Sequence, residues 1–421
     1  MTGHANDFHP GSGLGIQCPM TPVFYHASKL LRLVKGSWFR FCQWLRDARH
    51  RAVSWLTDPV LAWHLALHRK HVRRRDWHAV LKTTQEIVPL VEARRDAKLM
   101  EAMGKSLELL GEYGGAARLR MESRRIRKGS RPNEWNGEDI SHRTLLVNLR
   151  ETTKQGMSTA IRAAGLVGQA ARRAKRCIVI VEPRLVPLFR RTFPGVDVRA
   201  AGAGDDAVRV EADVVAGLHH LRAVLVTDAK AIAACFVPLR PDSELSRQFR
   251  TTYRSSDRRP VIGISWASTA HTKEIPGLGD WAQFLQKIDA TFVSLQYGKI
   301  DGDLAKLRMG DRNRIIYDRS VDQLVDMDRF SAQVASLDAV VSISNTGAHL
   351  AGALAVPGVL IFDDKFRRGW PVIGDTTPWC PRMKLVMKKG RPWNEVMEEV
   401  RERLDALLTQ PARDVAQSAI R

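Results

Sequence analysis

The sequence lacks two features of membrane-spanning and exported proteins. No uninterrupted apolar run reaches the roughly 18 to 20 residues that a transmembrane helix requires. The first 22 residues are rich in Gly, Pro, His and polar residues and contain no apolar segment after a basic start, so no secretory signal is predicted. We therefore expect residues 1–28 to form a disordered tail. The protein is expected in the cytoplasm, either soluble or peripheral on the inner face of the membrane.

Cysteine is also scarce and irregularly placed. The spacing contains no Cys-x-x-Cys pair and no Cys/His pattern of a zinc site. Reduced thiols in a cytosolic compartment fit this pattern best. The five cysteines are Cys18, Cys42, Cys177, Cys235 and Cys380.

Acidic residues are outnumbered by basic ones, 45 against 66, which gives a formal net charge of +21. A field of this size favours anionic partners such as nucleic acid, acidic lipid or phosphorylated sugars. The basic stretch from Glu122 to Trp135 lacks the interleaved aromatic side chains on which nucleic-acid bases stack. Nucleic acid is therefore the least favoured of these partners.

Residues 29–58 form a basic amphipathic segment in which apolar residues recur at helical spacing between Lys29 and Leu56. Trp38, Trp44 and Trp55 would suit the interface of an anionic membrane, on which such a helix lies in plane. An ordinary helix that packs on the following domain is the alternative. The pattern leaves both interpretations open.

Residues 59–130 are predicted to be helical, with a chain reversal at Gly114-Gly115. The stretch LELLGEYGGAARLRMESRRI resembles part of a tetratricopeptide repeat, in which small residues let two helices approach. A generic helical bundle remains the alternative. A repeat of this kind would offer a surface for a protein partner.

After Arg143, short β-branched runs alternate with helical stretches, which predicts parallel sheets covered by helices on both faces. The stretch from Arg250 to Pro260 divides these runs into two groups. We therefore predict two Rossmann-type lobes, an N-terminal lobe over residues 131–255 and a C-terminal lobe over residues 256–421. The runs are TLLVNL, RCIVIV, PVIGISW, TFVSLQ, RIIY, AVVSIS and PGVLIF.

Ligands of such lobes bind beyond the carboxyl ends of the parallel strands. After AVVSIS come Asn345, Thr346, Gly347 and His349, followed by a helix of small residues. The N-terminus of that helix would favour a phosphate, and the Asn and His side chains could donate hydrogen bonds to it. A structural turn with a capping Asn and a packed His is the alternative.

Two other strand ends also carry polar groups. His271 and Lys273 lie in the loop after PVIGISW, where a lysine could offset charge on a diphosphate. Gln296 ends TFVSLQ, and Ser331 lies in the helix after Asp326. Such groups can bind a base edge or a ribose. Solvated loop residues and helix N-caps are the alternatives.

From Arg131 onward, over about two-thirds of the chain, the sequence resembles a known family. It is similar to the glycosyltransferase domain of bacterial tetratricopeptide-repeat glycosyltransferases, itself similar to the heptosyltransferase type (family 9) of GT-B enzymes. The matching text is PNEWNGEDI, VEPRLVPLFRRTFPGVDV, VPLRPD, VIGISW, FVSLQYG, DRFSAQVASLDAVVSISNTGAHLAGALAVP and TPWCPRMKLV.

The resemblance implies an α/β fold of GT-B type and a nucleotide-sugar donor held by the C-terminal lobe. The acceptor would be a glycan or a lipid-linked sugar bound by the N-terminal lobe. Neither a metal ion nor a resident cofactor is implied, because basic groups and helix N-termini serve the diphosphate. The donor-side residues carried over are His349, Asn345, Thr346, Gly347, Lys273, Gln296 and Ser331.

Two loops depart from the family pattern. Residues 150–156 read RETTKQG where the family has a Glu-Gln-Gly, Gly-Asp loop, which leaves Glu151 as the candidate general base. The loop of residues 267–277 lacks the family's arginines and keeps Lys273. The leading hypothesis is an inverting sugar transfer in surface polysaccharide or lipopolysaccharide synthesis. The alternative is a catalytically degenerate relative that acts as a binding or scaffold module.

Overall fold

The structure is a computed structural model that divides into two compact units, residues 1–73 and 74–421. The predictions for residues 1–28 and 29–58 lie outside the described residues. Helix α1 spans Pro59–Arg74. Among the described helices, none has the length and apolar composition needed to cross a bilayer. The described residues are 59–74, 76–129, 133–150, 157–202, 211–254, 259–268, 273–307, 314–363, 370, 372 and 374–409.

Three helices, which we call the helical segment, open the described part of the second unit. Asp76 caps the first by accepting a hydrogen bond from the amide of Ala79 at 3.1 Å. Asp96 caps the second by accepting from the amides of Lys98 and Leu99, both at 3.0 Å. The segment is therefore helical as expected, and its identity as tetratricopeptide repeats stays a prediction. The helices are α2 (Trp77–Ala93), α3 (Ala97–Leu110) and α4 (Tyr113–Lys128).

The turn between α3 and α4 lies earlier than predicted. The chain reverses at Gly111, whose φ of +90° is the left-handed conformation that glycine adopts without strain. Gly114 instead lies in the first turn of α4. A Cβ there would come within 2.9 Å of the carbonyl oxygens of Val226 and Thr227. The predicted turn was wrong because Gly114 serves close packing and not chain reversal.

The N-terminal lobe contains a parallel sheet whose strands run in the order β3-β2-β1-β4 within the described residues. Leu146 of the first strand pairs with Ile178 on one side and Val215 on the other. Its elements are β1 (Thr144–Asn148), α5 (Met157–Ala171), β2 (Arg176–Val181), α6 (Val186–Thr192), β3 (Asp197–Ala200), β4 (Val214–Gly217), α7 (Leu218–Leu225) and α8 (Ala229–Ala234).

The C-terminal lobe contains a larger sheet, in the order β10-β11-β9-β8-β5-β6-β7 within the described residues. Its pairs are parallel except for the β10–β11 hairpin. The elements are α9 (Ser243–Tyr253), β5 (Val261–Ser265), α10 (Leu278–Gln286), β6 (Thr291–Ser294), α11 (Asp301–Leu307), β7 (Arg314–Ile316), α12 (Met327–Ala335), β8 (Ala339–Ile343), α13 (Thr346–Ala353), β9 (Gly358–Phe362), β10 (Thr376–Thr377), β11 (Cys380–Met387) and α14 (Trp393–Thr409).

The central strands are buried on both faces. Every residue of β5, β8 and β9 is buried, and these strands are the apolar runs VIGIS, AVVSI and GVLIF. A strand with helices over both faces needs such a continuous apolar run, because neither face meets water. The α/β fold with two largely parallel sheets, predicted from these runs, is therefore confirmed.

The two lobes are in direct contact within the second unit. Arg191 of α6 forms an ion pair with Asp328 of α12. The amide of Leu239 donates to the carbonyl oxygen of Ala353 at 2.9 Å. Helix α9 ends at Tyr253, whose hydroxyl donates to Asp318 of the C-terminal lobe at 2.6 Å. Although the sequence assigned α9 to the N-terminal lobe, it packs against the other one, and the domain boundaries stay predictions.

Candidate functional site

The order of strands in the larger sheet creates a crevice. From β5 the chain continues through β6 and β7 toward one edge, and then returns to β8 and β9 on the other side of β5. Strands β5 and β8 are therefore neighbours whose connections leave in opposite directions. In open α/β sheets, ligands bind at this switch point, outside the carboxyl ends of the strands.

A network of hydrogen bonds joins the strand ends at this crevice. The Asn345 side chain accepts from the amide of Ala348 at 3.0 Å, which caps α13, and its Nδ2 donates to Ser265 Oγ at 2.7 Å. Ser265 Oγ in turn donates to Gln296 Oε1 at 3.0 Å. The ends of β5, β6 and β8 are thus held together. The N-terminus of α13 is fixed in place at the switch point.

Gln296 supports the crevice from within the protein. Its side-chain oxygen also accepts from the amides of Trp266 and Ala267, at 3.0 and 2.8 Å. The residue is only 6% exposed. The structure therefore gives Gln296 a positioning role under the crevice, and its predicted contact with the donor stays a prediction.

The first turn of α13 offers backbone donors to a ligand. Thr346 and Gly347 are its first two residues, and amides at these positions have no partner inside a helix. A Cβ at Gly347 would meet Asn345 Oδ1 at 3.4 Å and Phe330 Cζ at 3.5 Å, which are ordinary contacts. Packing within the protein therefore does not require glycine here. Close approach of a ligand to the backbone would explain why residue 347 is a glycine.

Lys273 is held beside the same helix N-terminus. Its ammonium group donates to the backbone oxygen of Ser344 and to Ser268 Oγ, the latter at 3.2 Å. Burial lowers the pKa of Lys273, and the carboxylate of Asp363 raises it in part. The group therefore places a half-buried cation at the end of β8. His271, from the same loop, lies outside the described residues.

His349 faces the interior from the first turns of α13. Its ring stacks on Trp370, with centroids 4.0 Å apart and planes 7° from parallel, and Trp370 Nε1 donates to Ser344 Oγ at 2.9 Å. The residue is 6% exposed, and its Nδ1 has no hydrogen-bond partner among the described residues. Burial lowers the pKa of His349 well below its usual value, and the charges of Arg162 and Lys273 lower it further. The imidazole is therefore neutral at pH 7.

A narrow cleft lies between the two lobes beside His349, and Arg162 of α5 lines it from the N-terminal side. Burial, followed by the charge of Arg222, lowers the pKa of Arg162 to about 10, so the guanidinium stays charged. Sequence reasoning missed this residue. Arg162 is the one charged residue in the otherwise small and apolar stretch MSTAIRAAGLVGQAA, and that contrast was the available signal.

Ser331 and Glu151 do not join this group in the described structure. Ser331 is fully buried in α12, and its hydroxyl donates to the carbonyl oxygen of Asp328 at 2.7 Å. Glu151 lies in the loop of residues 151–156, outside the described residues. The predicted roles of both residues stay predictions.

A second, wider cleft lies at the carboxyl ends of the strands of the N-terminal lobe. Arg150 and Met157, which flank the loop of residues 151–156, are among the residues that line it. Glu182 also lines it, and its carboxylate accepts from Arg184 Nε at 2.7 Å. The charged side chains that line it, among the described residues, are thus arginines or a carboxylate paired with one. No group of His, Cys, Asp and Glu suited to a metal ion occurs among the described residues of either cleft.

Comparison with known proteins gives relatives of low identity. No protein-family model matches the chain. Protein FlbA of Caulobacter vibrioides is 26% identical over 286 residues, which cover 63% of this chain and 47% of FlbA. The chain therefore spans about half the length of this curated relative.

The chain is also similar to solved glycosyltransferase structures. One is a family 9 glycosyltransferase of Veillonella parvula, with 10% identity over 65% of this chain and 99% of that chain, and a TM-score of 0.46. Another is the ADP-heptose lipopolysaccharide heptosyltransferase II of Escherichia coli, with 14% identity over 63% of this chain and 98% of that chain, and a TM-score of 0.42.

Proposed function

We propose that the chain is a GT-B glycosyltransferase that takes a sugar from a nucleotide-sugar donor bound at the carboxyl ends of β5 and β8. One observation carries the proposal. The N-terminus of α13, capped by Asn345 and tied through Ser265 to Gln296, lies beside Lys273 at the switch point of the larger sheet. Fixed helix N-termini and nearby cations are general features of phosphate sites.

The donor diphosphate would lie across the first turn of α13. The amides of Thr346 and Gly347 would donate to its oxygens, and Lys273 would offset its charge. These groups would stabilise the negative charge that develops on the leaving diphosphate. The site therefore needs no metal ion in this proposal, and it needs no resident cofactor.

His349 would bind the donor as a neutral hydrogen-bonding group. Its Nδ1 is buried without a partner among the described residues, and leaving such a group unsatisfied is costly. A sugar hydroxyl or a phosphate oxygen in the cleft would satisfy it. Arg162, across the same cleft, would add a positive charge from the other lobe.

The acceptor would enter from the cleft of the N-terminal lobe. In an inverting transfer, the acceptor oxygen forms a bond to the anomeric carbon while the bond from that carbon to the diphosphate oxygen breaks. Glu151 would take the hydroxyl proton as general base. We propose a glycan or a lipid-linked sugar as acceptor, in surface polysaccharide or lipopolysaccharide synthesis. Residues 29–56 would bring the protein to the membrane face where such acceptors lie.

A binding or scaffold role is the second candidate. One observation favours it, since the carboxylate of Glu182 in the N-terminal cleft is already occupied by Arg184 and leaves no acidic group free there among the described residues. A scaffold would bind the donor without transferring the sugar. Release of free nucleoside diphosphate with a glycan acceptor therefore separates the two candidates.

The direct test is thermal stabilisation of the purified protein by UDP-, GDP-, ADP- and CMP-sugars. A ligand that binds only the folded state stabilises it by about 2.7 kcal/mol at 100 times its Kd. We expect one nucleotide class to stabilise the wild type and His349→Ala to lose the effect. His142→Ala, at an exposed position before β1, is the matched control and should keep it. If no donor stabilises the wild type, the proposed donor site is wrong.

A further inference from the structure

The helical segment is joined to the N-terminal lobe by buried ion pairs. Arg124 of α4 donates to Glu134 at 2.8 Å, and Glu134 lies 3.4 Å from His220 Nε2 of α7. The side chains of Glu134 and His220 are 5% and 6% exposed. At Gly114, α4 approaches the backbone at the end of α7 too closely to admit a Cβ. Helix α4 is therefore packed into the N-terminal lobe.

Glu108 of α3 is the centre of a second group of charges. It accepts from Arg120 of α4 at 2.8 Å and from Arg222 of α7 at 3.3 Å. The side chains of Glu108, Arg120 and Arg222 are 22%, 16% and 13% exposed. Two arginines so close together repel each other, and the carboxylate of Glu108 offsets that repulsion. Without it, Arg222 would be left as a poorly compensated buried charge.

Arg222 extends this group to the C-terminal lobe. Its guanidinium carbon lies 5.8 Å from the ring centroid of Trp379, in the turn between β10 and β11. Trp379 lines a narrow cleft together with Glu108 and Arg222. The same tryptophan lines the cleft that contains Arg162 and His349. One side chain therefore forms a wall of both clefts.

The turn that carries Trp379 also presses on α13. A Cβ at Gly352, about one turn after His349, would come within 2.4 Å of the sulfur of Cys380. Helix α13 and this turn are thus packed without spare space. A shift of the turn must move either α13 or the side chains beside it.

We propose that Glu108 and Arg222 are positioning residues that hold Trp379 and Cys380 against α13, so that the helical segment sets the shape of the cleft at His349. The proposal deepens the proposed function, on which it rests for the identity of that cleft as the donor site. A partner that binds the helical segment and disturbs Glu108 would thereby alter donor binding.

Cysteine labelling provides a test that needs no nucleotide. Cys380 and Cys235 are buried and line the cleft, whereas Cys177 is buried in β2 away from it. Burial raises the pKa of all three thiols, so each reacts only when its surroundings open. The full chain is labelled with a maleimide for timed intervals, and mass spectrometry of the peptides that contain Cys177, Cys235 and Cys380 gives three separate opening rates.

Glu108→Gln removes the charge and keeps the shape. Hydrogen bonds to charged groups are strong enough that we expect labelling of Cys380 and Cys235 to accelerate roughly tenfold. Cys177 should stay within about twofold. Glu101→Gln is the matched control, because Glu101 also pairs with Arg120, at 3.4 Å, without being bonded to Arg222. It should leave all three rates unchanged.

Three results would overturn the proposal. Unchanged labelling rates in Glu108→Gln would show that the pair of Glu108 and Arg222 does not hold Trp379 and Cys380 in place. Equal acceleration at Cys177 would show general loss of stability, and the same pattern in Glu101→Gln would show that any lost charge on α3 has this effect. If Glu108→Gln does not fold, Arg222→Lys, which keeps the charge and loses the planar group over Trp379, should accelerate Cys380 selectively.

Binding titrations can overturn the proposed donor site and the coupling of Glu108 to it independently of each other. Titration of wild type and Glu108→Gln with the stabilising nucleotide sugar should show about tenfold weaker binding to the variant, and Glu101→Gln should bind like wild type. If no nucleotide sugar binds the wild type, the proposed function is wrong, while the labelling rates still decide whether the helical segment holds the cleft. Equal affinity in wild type and Glu108→Gln would overturn the coupling alone.

Discussion

The two lobes contain parallel sheets of the same kind but differ at the carboxyl ends of their strands. In the C-terminal lobe, Asn345 follows β8 and is bonded both to its own helix and across to β5. In the N-terminal lobe, Asn148 ends β1 and accepts one local hydrogen bond, from the amide of Arg150 at 2.9 Å. The first arrangement fixes a helix N-terminus in place. The second joins the side chain to the backbone two residues further along the chain.

This difference is consistent with different requirements of the two proposed ligands, the donor and the acceptor. A donor diphosphate has the same shape in every reaction cycle, so a preorganised set of donors suits it. An acceptor varies more in shape, and loops on a rigid lobe accommodate such variety. The contrast leads to four predictions, from the largest expected effect to the smallest.

Asn345→Ala and Asn148→Ala test the contrast directly. Asn345→Ala removes a helix cap and the hydrogen bond that Ser265 Oγ accepts from Asn345, so we expect a loss of about 2 kcal/mol in the free energy of unfolding. Asn148→Ala removes one exposed hydrogen bond and should cost less than about 1 kcal/mol. Urea unfolding measures both. Equal losses would contradict the contrast between the lobes.

Lys273→Gln and Arg184→Gln separate the charges of the two clefts. Lys273 would contact the donor, and loss of one charged hydrogen bond should weaken nucleotide-sugar binding by about 2 kcal/mol. Arg184 lines the N-terminal cleft and should not affect donor affinity. Calorimetric titration measures the two values. Weaker donor binding in Arg184→Gln than in Lys273→Gln would indicate that the donor binds in the N-terminal lobe and would contradict a donor site at Lys273.

His349 should make stability depend on pH. Its pKa is lowered in the folded state, so below the ordinary value near 6.5 the unfolded chain binds a proton that the folded chain does not. Stability is therefore lost as pH falls below about 6.5, by at most about 1.4 kcal/mol per pH unit from this group.

The comparison of wild type with His349→Gln isolates this contribution, because His219 and His220 also have lowered pKa values and remain in both proteins. As the pH falls from 7 to 5, the unfolding free energy of wild type should decrease relative to that of His349→Gln. A constant difference between wild type and His349→Gln would show that the folded pKa of His349 is not lowered.

Gly347→Ala should have the smallest effect on stability and still affect binding. Alanine is favoured over glycine in a helix by up to about 1 kcal/mol, and its Cβ makes only ordinary contacts here. We expect the melting temperature to stay or rise and the stabilisation by the donor to be lost. A variant that retains donor binding would show that no ligand approaches this part of the backbone.

Much of the fold could be predicted because the central strands are continuous apolar runs. The strands β3 and β4 were missed, since DVRA and VVAG are short and their residues are only partly buried. The turn at Gly111 was misplaced because three nearby glycines carry the same local signal. Which glycine reverses the chain depends on the contact of Gly114 with α7, and that contact is tertiary.

The candidate site was predictable only in its local part. Asn345, Gly347 and His349 follow a strand in sequence, so their position could be anticipated. Arg162 could not, because it meets His349 only after the two lobes pack. Trp379 belongs to the same lobe as His349, but it is distant in sequence and reaches the cleft only through tertiary packing. The sequence also did not indicate that Gln296 is bonded to Ser265 inside the protein, because that bond depends on the pairing of β5 with β6.

Hydrogen exchange with and without the stabilising nucleotide sugar tests the central claim most directly. If the donor binds at the switch point, the amides of residues 344–350 and of the end of β5 should exchange more slowly in its presence, in wild type and not in Gly347→Ala. Protection confined to residues 150–202 of the N-terminal lobe, or protection that Gly347→Ala retains in full, would contradict a donor site at α13.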